Sequence, residues 1–346
     1  MAKRTFWLLL AAACVVTAIP GCSADLPGTP TPASDTTADA ESVSATTSRL
    51  ALDTFPVGIA VDGSSGEVYV LASNEMVVLD PDAKTVRNRA PVQPGATEIA
   101  FDPAHHAAWV ANNRRSNDPA DRKVNIFDTR SKQMVGSVEL QYPALAVGVD
   151  SGANYAFVVN RPDDQTVSPE ARAWLSVFDT NTMALVSTVE LPFAAYAIEI
   201  DSVTHTAVVS GWMHAALVST QTFAIDRSRN IRSDSSSVTA AVDSRRGSAY
   251  IASDEKLTSI DFRTGSNVAE REIRWEEGPM AIGPAGRLLV TDNHNGALLV
   301  IDPATAEVRA QISVGAAPGG VASTPDGKTA YVYSNSGQSV TVVKFA

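Results

Sequence analysis

The sequence predicts an all-β fold, a seven-bladed β-propeller of four-stranded antiparallel blades, and three observations predict it. One pattern of short apolar runs returns seven times, with corresponding residues 41 to 51 positions apart. A period in the low forties with several strand-length runs per unit is typical of propeller blades. The runs are rich in β-branched and aromatic residues, and no stretch shows the 3.6-residue period of a helix.

The composition suits one large domain. The chain has 346 residues, of which 45% are hydrophobic, and a formal net charge of −11. All-β folds routinely reach about 200–250 residues as one domain, so the length does not require two. An acidic chain lacks the excess of Lys and Arg that neutralises a phosphate backbone, and we therefore expect no nucleic-acid partner.

Residues 1–21 have the pattern of a bacterial signal peptide. Lys3 and Arg4 precede an apolar stretch, Phe6–Ile19, that is too short to span a bilayer as a helix. The segment ends in Ile19-Pro20-Gly21-Cys22, which resembles a bacterial lipobox. The resemblance implies that Cys22 carries a lipid, palmitate included, and anchors the protein to the cell membrane on its extracytoplasmic side, in a periplasm or at the outer surface. An ordinary secretory signal with a chance cysteine is the alternative.

Residues 22–47 are predicted to be a disordered tether. They consist mainly of Ala, Ser, Thr, Pro and acidic residues, with almost no large apolar side chain. Such a segment cannot bury enough apolar surface to offset the entropy of ordering it. The domain that follows, residues 48–346, contains no cysteine, so it holds neither a disulfide nor a thiolate metal site.

Each predicted blade contains four strands, which we name a to d from the ring axis outward. Strand a ends in Asp in the first five copies, and Gly283 and Thr324 take that position in the last two. Strand c ends in a recurring Asp, with Thr220 in that position in the fourth copy by spacing and Lys344 in the seventh. The last copy stops after strand c. An alternating segment, Ser48–Asp53, precedes the first strand a, and we expect it to complete blade seven and close the ring.

The residues after strand b carry a resemblance to a known family. Trp109-Val110-Ala111-Asn112, Phe157-Val158-Val159-Asn160 and Leu289-Val290-Thr291-Asp292, each followed by an apolar run ending in Asp, resemble the YVTN β-propeller repeat. Bacterial YncE-like and surface-layer-associated seven-bladed propellers share this repeat. The resemblance covers about residues 48–346 and is weak in blades one and four. It implies the fold and says little about function.

The two ends of the ring differ in sequence. The b–c and d–a connections share one end, which we call the loop face, and the a–b and c–d turns share the other, the turn face. The b–c connections of blades two and three are the long ones, and insertions on one face of a repeat ring often mark a binding face. Tolerated loop drift is the alternative. The candidate binding residues on the loop face are Asn112, Arg114, Arg115, Asn160, Arg161, Trp212, His214, Asp254, Asn293 and His294.

The recurring aspartates of the turn face are predicted to be structural, because Asp often starts a turn by bonding its own backbone. Two other carboxylates, Glu98 and Glu199, stand inside a strands, and the positions aligned with Glu199 hold Ala or Gly. A carboxylate near the axis is costly unless it is paired or hydrated. We expect these two to face water in a central channel or to serve a site there.

The sequence favours a membrane-anchored extracytoplasmic propeller that acts as a binding or scaffold module in the cell envelope. Its partner would be an envelope protein or a small ligand, and we predict no cofactor. One alternative is a lactonase- or quinoprotein-like enzyme, although no spacing draws Arg114, Arg115, Glu199 and His294 together. Another is a metal-binding protein that serves an envelope transporter. His214 and His294 are its weak candidate ligands, because no His-x-His or His cluster occurs.

Overall fold

The computed structural model of this chain describes residues 43–112, 118, 122–162, 171–232, 239–253, 255–262, 264, 266–275 and 278–346. Within these residues, 28 strands form seven four-stranded antiparallel sheets. Six sheets contain four strands that are consecutive in the chain, and the seventh has the order β1-β28-β27-β26. The predicted seven-bladed propeller is confirmed.

The strands of the first four blades follow in the order a to d. Blade one contains β2 (Pro56–Val61), β3 (Val68–Ala72), β4 (Glu75–Leu79) and β5 (Val86–Pro91). Blade two contains β6 (Ala96–Asp102), β7 (Ala107–Asn112), β8 (Lys123–Asp128) and β9 (Gln133–Glu139). Blade three contains β10 (Ala144–Asp150), β11 (Tyr155–Asn160), β12 (Ala173–Asp179) and β13 (Leu185–Leu191). Blade four contains β14 (Ala195–Asp201), β15 (Thr206–Gly211), β16 (His214–Ser219) and β17 (Ile225–Arg232).

The last three blades follow in the same order. Blade five contains β18 (Thr239–Asp243), β19 (Ser248–Ser253), β20 (Lys256–Asp261) and β21 (Asn267–Glu272). Blade six contains β22 (Met280–Ile282), β23 (Leu288–Asp292), β24 (Ala297–Asp302) and β25 (Glu307–Ser313). Blade seven contains β26 (Pro318–Ser323), β27 (Thr329–Ser334), β28 (Ser339–Phe345) and β1 (Ala45–Ala51). A short 3₁₀ turn at Pro284–Gly286 joins the first two strands of blade six.

The N-terminal strand completes blade seven, as predicted. β1 pairs with β28 in antiparallel register from Ala45 opposite Phe345 to Ala51 opposite Ser339. The strand begins at Ala45, three residues before the predicted boundary between tether and domain at residue 48. Arg49 Nε donates to Ser339 Oγ at 2.8 Å, and the closing strand is therefore bound through a side chain as well as its backbone.

The inner strands close the ring. Each a strand contacts the a strands of the two blades beside it, and β26 contacts β2. The core lies between blades, where buried apolar side chains of facing sheets meet; Trp109, Tyr69, Tyr331 and Phe127 are among the largest fully buried side chains. Since both faces of a blade are covered, its strands are apolar on both sides rather than alternating.

Adjacent inner strands approach so closely that small residues are required at some contacts. A Cβ built on Gly58 of β2 would lie 2.3 Å from the backbone oxygen of Thr97 of β6. No Cβ can occupy that position without moving one of the two blades. On the outer strand β9, in contrast, a Cβ on Gly136 meets no atom within 4 Å.

The strand-ending aspartates start turns, as predicted. Asp62 Oδ1 accepts from the backbone N–H of Ser64 at 2.9 Å, and Asp150 Oδ1 accepts from Gly152 at 3.0 Å. The same contact recurs at Asp80, Asp128, Asp179, Asp201, Asp243 and Asp302. One assignment by spacing is wrong. Ser219 takes the Asp position in blade four. Its backbone oxygen accepts from the N–H of Phe223 at 2.8 Å, just as the backbone oxygen of Asp179 accepts from the N–H of Met183 at 2.8 Å. Thr220 is the residue after Ser219.

A buried ionic cluster joins blades one and two. Glu67, 7% exposed, accepts from Arg87 NH1 at 3.2 Å and also from Lys132 Nζ. Lys132 Nζ in turn donates to Tyr69 Oη at 2.8 Å. Burial alone would raise the pKa of Glu67, but the hydrogen bond and charge of Lys132, with the contact from Arg87, hold it below its ordinary value.

The part of the chain that the structure describes contains no helix with the length and apolar character needed to cross a membrane.

Candidate functional site

A cavity of about 710 Å³ lies at the axis of the ring. The inner strands of blades one, two, four, five, six and seven line it, together with Tyr333 of β27. Each inner strand is terminal in its sheet, so the edge that it turns toward the axis pairs with no strand of its own blade. Such an edge presents backbone N–H and C=O groups to whatever occupies the channel.

The two carboxylates that stand inside a strands both line this cavity. Glu98 belongs to β6 and Glu199 to β14, two blades further around the ring, and both side chains are accessible to solvent. Apolar side chains such as Ile59, Ile99 and Met280 form much of the surrounding wall. Among the described residues, neither carboxyl has a hydrogen bond or an ion pair.

The ring changes the acidity of both groups. The carboxyl of Glu98 is exposed by surface area, but the protein atoms that surround it on the wall of the channel desolvate it and raise its pKa to about 7. Desolvation is also the main reason that the pKa of Glu199 rises to about 8, and the negative charge of Glu98 adds to it. The two carboxyls therefore lie within electrostatic range of each other in the channel.

The other polar groups of the cavity are arranged around this pair. Tyr333 Oη donates to the backbone oxygen of Val57 at 3.0 Å, and burial together with the charge of Glu98 raises the pKa of Tyr333 to about 12. The hydroxyl oxygens of Thr97 and Thr239 are buried and have no hydrogen-bond partner among the described residues. Tyr196 also lines the cavity.

One cationic side chain, Arg245, is found among the described residues that line the cavity. Its Nε lies 3.6 Å from Asp243 Oδ1, and its NH1 donates to the backbone oxygen of Asp326 at 3.1 Å. These contacts hold the guanidinium near the turn face. Asp243 also accepts from Arg246 NH1 at 3.4 Å, so two guanidinium groups share this carboxylate. No cation of the described residues contributes to the pKa shifts of Glu98 and Glu199.

Three candidate residues of the loop face prove to be buried. Asn112 is 0% exposed, Asn160 1% and Arg161 8%. Asn160 Nδ2 donates to the backbone oxygen of Trp174 at 3.2 Å and to Ser176 Oγ at 2.9 Å. These bonds tie strand b to strand c and hold the amide of Asn160 inside the blade.

The other described candidates lie in two separate connections. His214 stacks on Phe193, with ring centroids 5.4 Å apart and an interplanar angle of 21°, and its Nδ1 lies 3.2 Å from the backbone oxygen of the half-buried Trp212. Asn293 and His294 are exposed in the turn between β23 and β24. Cys22, Arg114, Arg115 and Asp254 lie outside the described residues.

No three His, Cys, Asp or Glu side chains of the described residues come close enough together to hold a metal ion. His214 and His294 line no part of the central cavity, and His294 is therefore not brought together with Glu199 there.

Sequence reasoning missed a contact that links blades three and four on the turn face. His205 Nδ1 lies 2.8 Å from Asp150 Oδ2, and Thr220 Oγ1 donates to the same carboxylate oxygen. Asp150 is fully buried, so both partners satisfy a carboxylate that water cannot reach. His105 makes a related contact, 2.7 Å from Asp102 Oδ2 and 3.0 Å from Asn181 Oδ1 of the next blade.

Comparison with known proteins identifies the architecture. No family model matches the sequence. No curated protein matches it either. Among solved structures, the chain is similar to Kuenenia stuttgartiensis hydrazine synthase, with a TM-score of 0.69 and 16% identity over 85% of this chain and 97% of that chain. This chain is a β-propeller. At so low an identity the likeness shows the fold alone.

Proposed function

We propose that this chain is a lipid-anchored β-propeller that binds a small ligand in its central channel, on the extracytoplasmic side of the cell membrane. One observation carries the binding function. The ring surrounds a cavity of about 710 Å³, a volume typical of small-molecule sites, and two carboxyls for which the described residues supply no partner line it.

The chemistry of the pair supports a ligand site over a purely structural channel. Enclosing two carboxyls within range of each other is unfavourable, and neither is relieved by a hydrogen bond or cation among the described residues. A structural carboxylate in the same chain, Glu67, shows the usual remedy, since Arg87 and Lys132 both bind it. A ligand that supplies the missing partner would relieve the channel pair.

The location rests on the N-terminal segment. The apolar stretch, the lipobox-like Ile19-Pro20-Gly21-Cys22 and the polar segment that follows support export and lipidation at Cys22. The resemblance of the blades to the YVTN repeat supports the same compartment, since the family includes envelope and surface propellers.

The binding function is tested by thermal unfolding of the full-length protein, purified in detergent micelles, against small molecules of several classes. These are amines, carboxylic acids, neutral polyols and divalent metal ions. We expect at least one class to raise the melting temperature, and we expect the shift to shrink when Glu98 and Glu199 are both replaced by Gln. If no class does so, the channel is not a binding site.

The anchor is tested separately by growing the bacterium with an alkyne-labelled fatty acid. We expect the label on the wild-type protein, in the membrane fraction, and its loss from Cys22→Ala. Cys14→Ala is the matched control, because the lipobox assigns no lipid to that residue. A soluble wild-type protein without label would refute the anchor and leave the channel proposal unaffected.

A further inference from the structure

We propose that the ligand of the central channel is a small organic cation with one or two amino groups, held between the carboxyls of Glu98 and Glu199. This inference deepens the proposed binding function and rests on it. It is carried by the charge of the cavity, the scarcity of metal ligands and the character of the wall.

The charge of the cavity calls for a cation. Of the ionisable side chains that line it, Glu98, Glu199 and Asp243 are acidic, and Arg245 is basic. Arg245 is held on the turn face by Asp243, which it shares with Arg246, and by the backbone oxygen of Asp326. Its charge does not contribute to the pKa shift of Glu98 or Glu199. Two carboxyls are left over, in an enclosed space where the interaction between charges is stronger than in bulk water. An ammonium group compensates this charge, whereas a carboxylate or phosphate ligand would add to the repulsion.

An organic cation fits this space better than a metal ion. Divalent ions such as Ca²⁺ take six or more oxygen ligands in proteins, at about 2.3–2.6 Å. The described residues bring no three His, Cys, Asp or Glu side chains together, and the channel offers two carboxyls in about 710 Å³. An ammonium ion needs only hydrogen-bond acceptors in suitable directions, and a ligand with a carbon chain can fill the remaining volume.

The wall suits the body of such a ligand. Ile59, Ile99 and Met280 offer apolar contacts, and Tyr196 and Tyr333 offer aromatic rings. Aromatic faces attract organic cations, and alkyl chains gain from burial against aliphatic side chains. The free backbone edges of the inner strands add carbonyl acceptors for the ammonium hydrogens.

Binding of a cation to this pair releases protons. Without a ligand, the carboxyls titrate near pH 7 and 8, so at neutral pH a fraction of them is protonated. An ammonium group favours the ionised form, and the affinity for the amine should rise as the pH increases from about 6 to about 8.5. The other titratable groups that line the cavity are Tyr196, Tyr333, Asp243 and Arg245, and the pKa of Tyr333 is raised to about 12, above that range.

The test is isothermal titration calorimetry on the full-length protein in detergent micelles. The probes are 1,4-diaminobutane, butylamine, the neutral 1,4-butanediol, succinate and Ca²⁺. We expect the diamine to bind, butanediol and succinate not to bind, and Glu98→Gln and Glu199→Gln each to weaken the diamine at least about tenfold, the loss of one charged hydrogen bond. Glu139→Gln, an exposed site on β9, is the matched control and should bind as wild type. Titration in buffers of different ionisation enthalpy should show proton release at about pH 7 that the double variant lacks.

Three results would overturn the inference. The first is diamine binding that the Gln variants leave unchanged, and the second is binding of butanediol, succinate or Ca²⁺ that depends on the two glutamates while amines fail. The second result keeps the proposed function and rejects only the ligand class. The third, no binding of any probe, rejects both. Urea unfolding of each variant establishes that a loss of binding is not a loss of folding.

Discussion

The closing strand gives the sharpest prediction about stability, at Leu52. This residue follows β1, is 6% exposed and packs in the cluster that contains Val68, Leu79, Tyr331 and Val340. These side chains come from blades one and seven, so Leu52 fills the contact where the ring closes. Removing the side chain of a buried Leu costs about 2–5 kcal/mol, a large part of the roughly 5–15 kcal/mol that stabilises a typical domain. We expect Leu52→Ala to destabilise the propeller by this amount.

The assay is equilibrium unfolding of the full-length protein in urea, followed by tryptophan fluorescence. The expected result is a lower midpoint at an unchanged slope, since the variant loses contacts but exposes the same surface on unfolding. Val203→Ala is the matched control, because Val203 is 72% exposed in a turn and its truncation should change stability by less than about 0.5 kcal/mol. A chain that begins at residue 53 should show a larger effect than Leu52→Ala, because β28 then loses its partner strand along its whole length.

The reasoning fails if Leu52→Ala unfolds at the midpoint of Val203→Ala, or if the chain that begins at residue 53 is as stable as one that begins at residue 43. The first outcome would mean that the side chain of Leu52 does not stabilise the contact where the ring closes, and the second that the ring stays closed without β1. Loss of a single sharp unfolding transition in the shorter chain would support the closing role of β1, because blade seven would then open independently of the other blades.

Three further predictions follow from the packing and the charges. Gly58→Ala should cost at least about 1–3 kcal/mol in urea unfolding, since its Cβ meets a backbone oxygen at 2.3 Å, whereas Gly136→Ala should be neutral or slightly stabilising. The pKa of Glu67 is lower in the folded than in the unfolded protein, so its ionised form contributes fully to the free energy of unfolding above about pH 4.3, and this contribution is lost as the pH falls through the folded pKa. The stability of Glu67→Gln should therefore lack this part of the loss in acid. Glu98 and Glu199 have raised pKa values, so wild-type stability should fall as the pH rises from about 4.3 toward 7 and 8, and the melting temperature of the double Gln variant should fall less over that range.

Much of the fold could be predicted because each blade repeats the same local chemistry. An apolar run, a terminal aspartate and a short turn specify a strand and its reversal through contacts only a few residues apart, as at Asp62 with Ser64. The closing role of β1 was predictable from a count, since the last copy stops one strand short. Glu199 was noticeable in the sequence because the positions aligned with it in other copies hold Ala or Gly, and Glu98 is the other charged residue inside an a strand.

Contacts between blades were not predictable in the same way. His205 reaches Asp150 across a blade boundary, over 55 positions in the chain, and that distance depends on how two sheets are rotated against each other. Asn160 was named as a candidate binding residue of the loop face, and its amide donates to Ser176 Oγ on the neighbouring strand. The repeat pattern shows where a strand ends and does not show which partner its last side chain finds.

The contrast between two kinds of enclosed glutamate argues for the channel as the functional part of the molecule. Glu67 lies between blades, and the chain supplies Lys132 and Arg87 to bind it, which lowers its pKa and makes the charge part of the structure. Glu98 and Glu199 lie in the channel, where the described residues supply no partner and each has a raised pKa. Glu199 stands at a position that holds Ala or Gly in other copies, and Glu98 lies two residues before Ala100, the residue of its own blade aligned with Glu199. Two carboxyls that line one cavity, and for which the described residues supply no partner, are better explained by a ligand than by stability.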